Sequence, residues 1–161
     1  MLDVACGSGR HLQWFAERGH RVLGLDRSAE ALRSASAFGE VLLCDLEGAP
    51  WPLPGQRFGA VIVTHYLWRP LLPVLVQSLA PGGVLLYETF ADGQQKFGKP
   101  SNPDFLLHPG ELLRACESLQ VVAYENGVLE SPQRCVQRIA AMNGTAEAGA
   151  AACLELCAGP L

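Results

Sequence analysis

Apolar and polar positions along this chain switch between two periods, and each switch marks a change of element. Residues 2–6, 21–26, 40–45, 59–64 and 84–90 are short apolar runs, and Gly59-Ala60-Val61-Ile62-Val63-Thr64 is almost unbroken. Such runs suit strands of a parallel sheet covered on both faces. Helical spacing fills the gaps. Leu12, Phe15 and Ala16 share one face of a helix of about ten residues, with Gly19 as its stop. Ser28 caps a second helix that carries Glu30 in its first turn and Ala31, Leu32 and Ala35 on its apolar side. Residues 46–57 read as a loop with three prolines around Trp51. Pro70 and Pro73 fit a first helical turn, and that helix is expected to run through Leu75 and Leu79 to Ala80, where Pro81-Gly82-Gly83 ends it. A polar, Gly-rich loop covers 91–102, a helix is predicted over 109–117 with Glu111 in its first turn, and strands follow at 120–125 and 134–140. The loop of about eight residues between those strands is short enough for an antiparallel pair. Strand-helix alternation through five strands, then a helix and a hairpin, predicts an α/β fold. Its sheet is doubly wound, mostly parallel and Rossmann-like, with the ligand outside the strands' carboxyl ends.

Composition narrows the picture. At 161 residues and 49% hydrophobic, the chain is sized for one folded domain. The 12 basic residues are scattered and the net charge is −4, which argues against a nucleic-acid face. Cys6, Cys44, Cys116 and Cys135 lie in apolar runs and read as small buried hydrophobes. Cys153 and Cys157 lack the partners of a zinc site, so no metal is expected. A reducing cytoplasm follows. The first residues carry no basic leader region, and no apolar run is long enough to span a bilayer. The domain is expected over 1–143. The Ala- and Gly-rich tail, 144–161, is open to helix or disorder.

The chemistry concentrates at the opening. A strand, the turn Cys6-Gly7-Ser8-Gly9 and an immediate helix aim backbone N–H groups and a helix start at one spot. Asp26 closes the next strand roughly 20 residues later, where an acid can accept ribose hydroxyls. Gly-x-Gly alone is a weak signal; Asp3 and Asp26 sharpen it. Leu12 stands where a dinucleotide fold needs its third glycine, which disfavours a nicotinamide-dependent oxidoreductase.

The segment Leu2-Asp3-Val4-Ala5-Cys6-Gly7-Ser8-Gly9-Arg10-His11 resembles the first motif of the class I S-adenosylmethionine-dependent methyltransferases. Asp26 is similar to their ribose-binding acid, Asp45-Leu46 to the pair that contacts adenine, and Leu79-Ala80-Pro81-Gly82-Gly83-Val84-Leu85 to their LxPGG-strand segment. The likeness covers residues 1 to about 143, and its CGSGRH form is similar to the small-molecule, tellurite-resistance-like branch. It implies sheet order 3-2-1-4-5-7-6 with the seventh strand antiparallel, and S-adenosylmethionine as cofactor. The residues it implies at that cofactor are Asp3, Ala5, Cys6, Gly7, Gly9, Arg10, His11, Asp26, Arg27, Asp45, Leu46 and Thr64. Two departures stand out. Family members usually carry one or two helices before the first strand, and Thr64-His65-Tyr66-Leu67 replaces the Asn/Asp-Pro-Pro-Tyr/Phe of many amide N-methyltransferases.

The implied activity is methyl transfer to a small-molecule acceptor, with neither nucleic acid nor membrane as partner and a monomer or weak homodimer as the assembly. Apolar surface around the first helix is expected to be left open. His65 and Tyr66 are the candidate catalytic residues, because they follow the fourth strand where the methyl group should emerge. Tyr66 covering the sheet end and His65 bonding backbone is the competing reading. Lys96 and Lys99 fit either a substrate lid or a solvated loop. The alternative function is a cofactor- or partner-binding module without turnover.

Overall fold

The structure is a computed structural model and describes residues 1–144; the tail over 145–161 lies outside the described residues. Among the described residues the elements run β1 (Leu2–Val4), α1 (Arg10–Ala16), β2 (Leu23–Asp26), α2 (Ala29–Ala35), β3 (Glu40–Leu43), β4 (Phe58–Thr64) and α3 (Leu72–Gln77). They continue with β5 (Leu79–Phe90), α4 (Glu111–Ala115), β6 (Gln120–Glu130) and β7 (Gln133–Met142). Single 3₁₀ turns sit at Arg69–Leu71, Gln94–Lys96 and Pro103–Phe105.

All seven strands form one sheet in the order β3-β2-β1-β4-β5-β7-β6. The first five pair in parallel, and β7 runs antiparallel between β5 and β6. The register brings the working ends of the strands level. Val4 lies opposite Leu25 on one side and Val63 on the other, so Ala5, Asp26 and Thr64 emerge together. Thr64 in turn pairs with Glu88, and Glu88 with Arg138.

Burial follows the apolar pattern. Leu2, Val4, Leu25, Val61 and Val63 are fully enclosed at the sheet's centre. Leu71 and Leu75, before and within α3, and Leu112 in α4 pack into the larger core on one face, and Leu12, Leu32 and Ala35 of α1 and α2 build a smaller one. The two glycine contacts that matter most are steric. A Cβ on Gly9 would sit 2.9 Å from the Ala35 Cα, and one on Gly24 would meet Cys6 Sγ and a Leu12 methyl, each at 2.7 Å. Cys6, Cys116 and Cys135 are buried, Cys44 is partly so, and all four are free thiols.

Several boundaries differ from the predicted ones, each for a local reason. α1 closes at Ala16 after seven residues, and Gly19 takes φ 80° in the turn beyond. The third helix ends at Gln77 rather than Ala80, because Leu79 already pairs with Phe58 and Pro81-Gly82-Gly83 lies within β5. A Cβ on Gly83 would meet the Phe58 carbonyl oxygen at 2.7 Å, so this turn presses directly on the neighbouring strand. Asn143 pins it, donating from Nδ2 to the Leu79 and Ala80 carbonyls at 3.2 Å each. The fourth helix is Glu111–Ala115, shorter than 109–117. The hairpin is tighter than predicted: β6 runs on to Glu130, leaving Ser131 and Pro132 as the turn. β6 is an edge strand with mostly exposed side chains, so main-chain pairing with β7, rather than an apolar pattern, carries it there.

Candidate functional site

Two hollows open at the carboxyl end of the sheet. The first, about 120 Å³, lies over the ends of β1, β2 and β3 and is lined by Ala5, Asp26, Arg27, Cys44, Asp45, Leu46, Glu47 and Tyr66. The second is a groove of about 410 Å³ on the α1 face of β4, β5, β7 and β6.

The first hollow is shaped by the glycine turn. Ala5, Gly7 and Gly9 all have φ in the left-handed region, at 58°, 55° and 89°. For alanine this is a strained conformation that the fold must hold in place, of the kind that collects at functional sites. The turn directs the Gly7 N–H onto Asp26 Oδ2 at 2.8 Å, while Ser28 N–H donates to Asp26 Oδ1 at 2.8 Å. Two backbone donors thus fix the carboxylate's orientation and leave each oxygen with acceptor capacity facing the hollow. Ser28 also caps α2, its Oγ accepting from Ala31 N–H at 3.2 Å. Asp45 is exposed and turns the chain by accepting from Glu47 N–H at 3.0 Å; Leu46 beside it is buried.

Asp3 is the most unusual group. Only 1% of its surface is exposed, and neither carboxylate oxygen has a hydrogen-bond partner. His11 Nδ1 approaches Oδ2 at 3.4 Å from the start of α1. Burial pushes the Asp3 pKa upward, with the opposing pull of His11 second. Cys6, buried beneath, has its thiol pushed up to about 12 and acts as packing. Arg10 is exposed and touches His11, Nη2 to Nε2 at 3.1 Å.

Tyr66 and His65 part company. Tyr66 lines the first hollow beside Asp26 and Asp45; its hydroxyl is buried with no partner, and burial pushes its pKa well up. Its carbonyl accepts from the Tyr87 hydroxyl at 2.8 Å. His65 takes φ 55° at the end of β4, and its ring stacks on Phe90 with centroids 5.3 Å apart. Partial burial draws its pKa below the ordinary imidazole value; Glu88 opposes that shift and Arg134 reinforces it. Thr64, one residue earlier, lines the groove together with His11 and Glu88. Lys96 and Lys99 are exposed on the 91–102 loop. Buried Gln94 anchors that loop, accepting from Cys135 N–H at 2.8 Å and donating to the Lys99 carbonyl at 3.1 Å.

Sequence reasoning did not single out Glu88, Glu125 and Arg138, which line the groove, or Arg134 beside Glu88. Their pairing depends on the antiparallel register of β5, β7 and β6, and only the i, i+4 spacing of the two arginines on one strand face hinted at it.

The chain belongs to the methyltransferase domain family, which matches residues 1–83. A malonyl-[acyl-carrier protein] O-methyltransferase from Serratia marcescens is 34% identical over 102 residues, covering 58% of this chain and 39% of that protein. An 18S rRNA (guanine-N(7))-methyltransferase from Schizosaccharomyces pombe is 37% identical over 73 residues, covering 42% of this chain and 27% of the relative. The chain therefore spans about two fifths or less of the length of these relatives. Among solved structures, a SAM-dependent methyltransferase from Methanosarcina mazei superposes with TM-score 0.69 at 16% identity, over 89% of this chain and 92% of its own. TehB from Haemophilus influenzae does so with TM-score 0.69 at 16% identity, over 88% and 57%. At such identities the likeness is one of fold.

The residues present fit S-adenosylmethionine. Buried Asp3 lacks a donor, which the cofactor's ammonium group matches. Asp26, held by two N–H groups, matches a vicinal diol, and the hollow with Tyr66, Asp45 and Leu46 matches a base. No helix among the described residues is long and apolar enough to cross a membrane.

Proposed function

We propose that this domain binds S-adenosylmethionine at the first hollow and transfers its methyl group to a small molecule lying in the groove. The observation that carries the reading is Asp26, oriented by the Gly7 and Ser28 N–H groups at the lip of the first hollow. Bound there, the cofactor supplies an activated methyl group together with its own leaving group, so the protein's share is to position and desolvate.

In this reading Asp26 holds the ribose and the Gly7–Gly9 turn lets the main chain approach closely. Ala5, Cys6, Arg27, Asp45 and Leu46 surround the nucleoside, while Asp3, Arg10, His11 and Thr64 serve the amino-acid end. Tyr66 lines the nucleoside hollow and not the groove, so we assign it to cofactor contact. His65, whose pKa partial burial lowers, is the residue we assign to orienting or deprotonating the acceptor. We assign Lys96 and Lys99, on the loop that Gln94 anchors, to a lid over the acceptor side.

Scattered basic residues and net charge −4 support a small acceptor over nucleic acid, and the free thiols support a cytoplasmic setting. The exposed face around Trp14 and Leu86 supports a monomer or weak homodimer.

Titration calorimetry with S-adenosylhomocysteine tests the core claim. Wild-type protein binds, and Asp26→Asn binds about tenfold more weakly or worse, as expected for losing hydrogen bonds to a charged acceptor. No heat at millimolar ligand removes the cofactor assignment. Binding without methyl loss across acid, amine and thiol acceptors favours a binding module instead.

A further inference from the structure

The arginines of this fold are used unequally. Arg69 is fully engaged: Nε and Nη2 donate to Glu111 at 2.7 and 3.0 Å, and its Nη atoms also reach the Asp104 and Leu106 carbonyls. Arg138 is shared by two carboxylates, bonding Glu125 and approaching Glu88 Oε2 at 3.6 Å. Arg134 is held less fully. Its Nη2 ion-pairs with Glu88 Oε1 at 3.7 Å, beyond hydrogen-bond reach, and its buried Nε–H has no partner. A guanidinium donor shut off from water without an acceptor is unfavourable, and an incoming anion relieves it.

Position gives that spare donor a purpose. Arg134 and Arg138 are four residues apart on β7 and so share a face, and Arg138 lines the groove. Arg134 sits close enough to His65 to lower its pKa, and Glu88 lies between them at the end of β5. Arg10 and His11 add positive character from α1, while Glu125 is drawn onto Arg138 and Glu88 is shared between Arg134 and Arg138. Farther from the strand ends the groove turns apolar, with Ile62, Leu86, Phe15 and Trp14.

We infer that Arg134 anchors the methyl acceptor, and that the acceptor is a small anion, a carboxylate or like oxyanion carried on an apolar body. This rests on the methyltransferase reading above. The Nε–H and Nη–H edge of a guanidinium matches the two oxygens of a carboxylate, a fit that lysine cannot reproduce. The same chemistry could come from the donor's own carboxylate, so the test separates the two sources.

Wild-type, Arg134→Gln and Arg134→Lys proteins are each titrated with S-adenosylhomocysteine. The loaded proteins are then titrated with acetate, malonate and phenylacetate, each beside its neutral amide. The Arg134 Nε–H is followed by nitrogen-15 NMR. At least one acid is expected to bind wild type about tenfold more tightly than its amide and to shift the Nε–H signal. Arg134→Gln abolishes that preference, Arg134→Lys recovers only part of it, and both bind S-adenosylhomocysteine within twofold of wild type. Equal binding of every acid and amide by wild type overturns the inference. So does a tenfold loss of S-adenosylhomocysteine affinity in a folded variant, which assigns Arg134 to the donor. Should Arg134→Gln fail to fold, Arg134→Lys and the wild-type NMR signal decide. A wild-type protein that binds no S-adenosylhomocysteine fails the underlying reading instead, and the acid-against-amide comparison without it still reports on Arg134.

Discussion

At the end of β1 the carboxyl group of Asp3 is enclosed, with 1% of its surface exposed and no hydrogen bond to either oxygen. Burial raises its pKa, His11 and Arg10 pull the other way, and Asp26 adds to the rise. A folded-state pKa above the unfolded one means that the folded chain holds the proton more tightly. This group's stabilising contribution is therefore full below the unfolded pKa and is lost as pH rises through the folded one. At neutral pH the ionised form works against folding, and a ligand cation compensates. Asp3→Asn should accordingly raise the melting temperature of the ligand-free protein at pH 7 by roughly 2–4 °C, equivalent to about 1 kcal/mol. The same change should remove most of the thermal shift caused by S-adenosylhomocysteine. Differential scanning fluorimetry from pH 4 to 8 checks both effects, with the advantage of Asn over Asp growing as pH rises. A variant less stable at neutral pH, with ligand shift intact, would make Asp3 a structural acid.

Among the elements, α4 shows why some of the site was readable in advance and some was not. Its N-cap is Gly110, which offers no side-chain acceptor, so the helix has no start signal of its own. The cap comes from across the fold: fully buried Gln137 on β7 accepts from Leu112 N–H at 2.9 Å and donates to the His108 carbonyl at 2.9 Å. Nothing local in the sequence links residues 112 and 137, and the predicted helix over 109–117 was too long for that reason. The same holds for Glu88 and Arg134, and for the strained Ala5 and His65, whose left-handed φ has no glycine to announce it. What was legible was local and periodic: the apolar strand runs, the Ser28 cap, the Gly7–Gly9 turn and Asp26 at a fixed distance beyond it. Gln137→Ala should cost about 1–3 kcal/mol in urea unfolding, because it strands the buried Leu112 N–H and unpairs the partly buried His108 carbonyl. S-adenosylhomocysteine affinity should be unchanged, since Gln137 packs on the helix face away from the nucleoside hollow. Unaltered stability would mean that α4 is capped by other means.

Across the whole molecule, the two hollows divide the sheet. The nucleoside side is assembled from the tips of β1, β2 and β3 with the start of α1, and its parts are tied by backbone bonds such as Cys6 N–H to Leu25 and Cys44 N–H to Asp26. The groove side is built on β4, β5, β7 and β6, and among the described residues α1 is the one helix that lines it, with Trp14 50% exposed and Leu86 38%. Ligand energy should therefore be distributed unevenly. At a hundredfold excess over Kd, S-adenosylhomocysteine should stabilise the fold by about 2.7 kcal/mol. Amide exchange in the ligand-bound protein should slow most at Gly7, Ser28 and Glu47, whose N–H groups surround the hollow, while the β6–β7 hairpin gains only the global share. An anionic acceptor added afterwards should slow the hairpin near Arg134 and leave the glycine turn as it was. Protection appearing first in β6 and β7 would exchange the roles of the two hollows, placing the donor in the groove and leaving Asp26 as a turn-building acid.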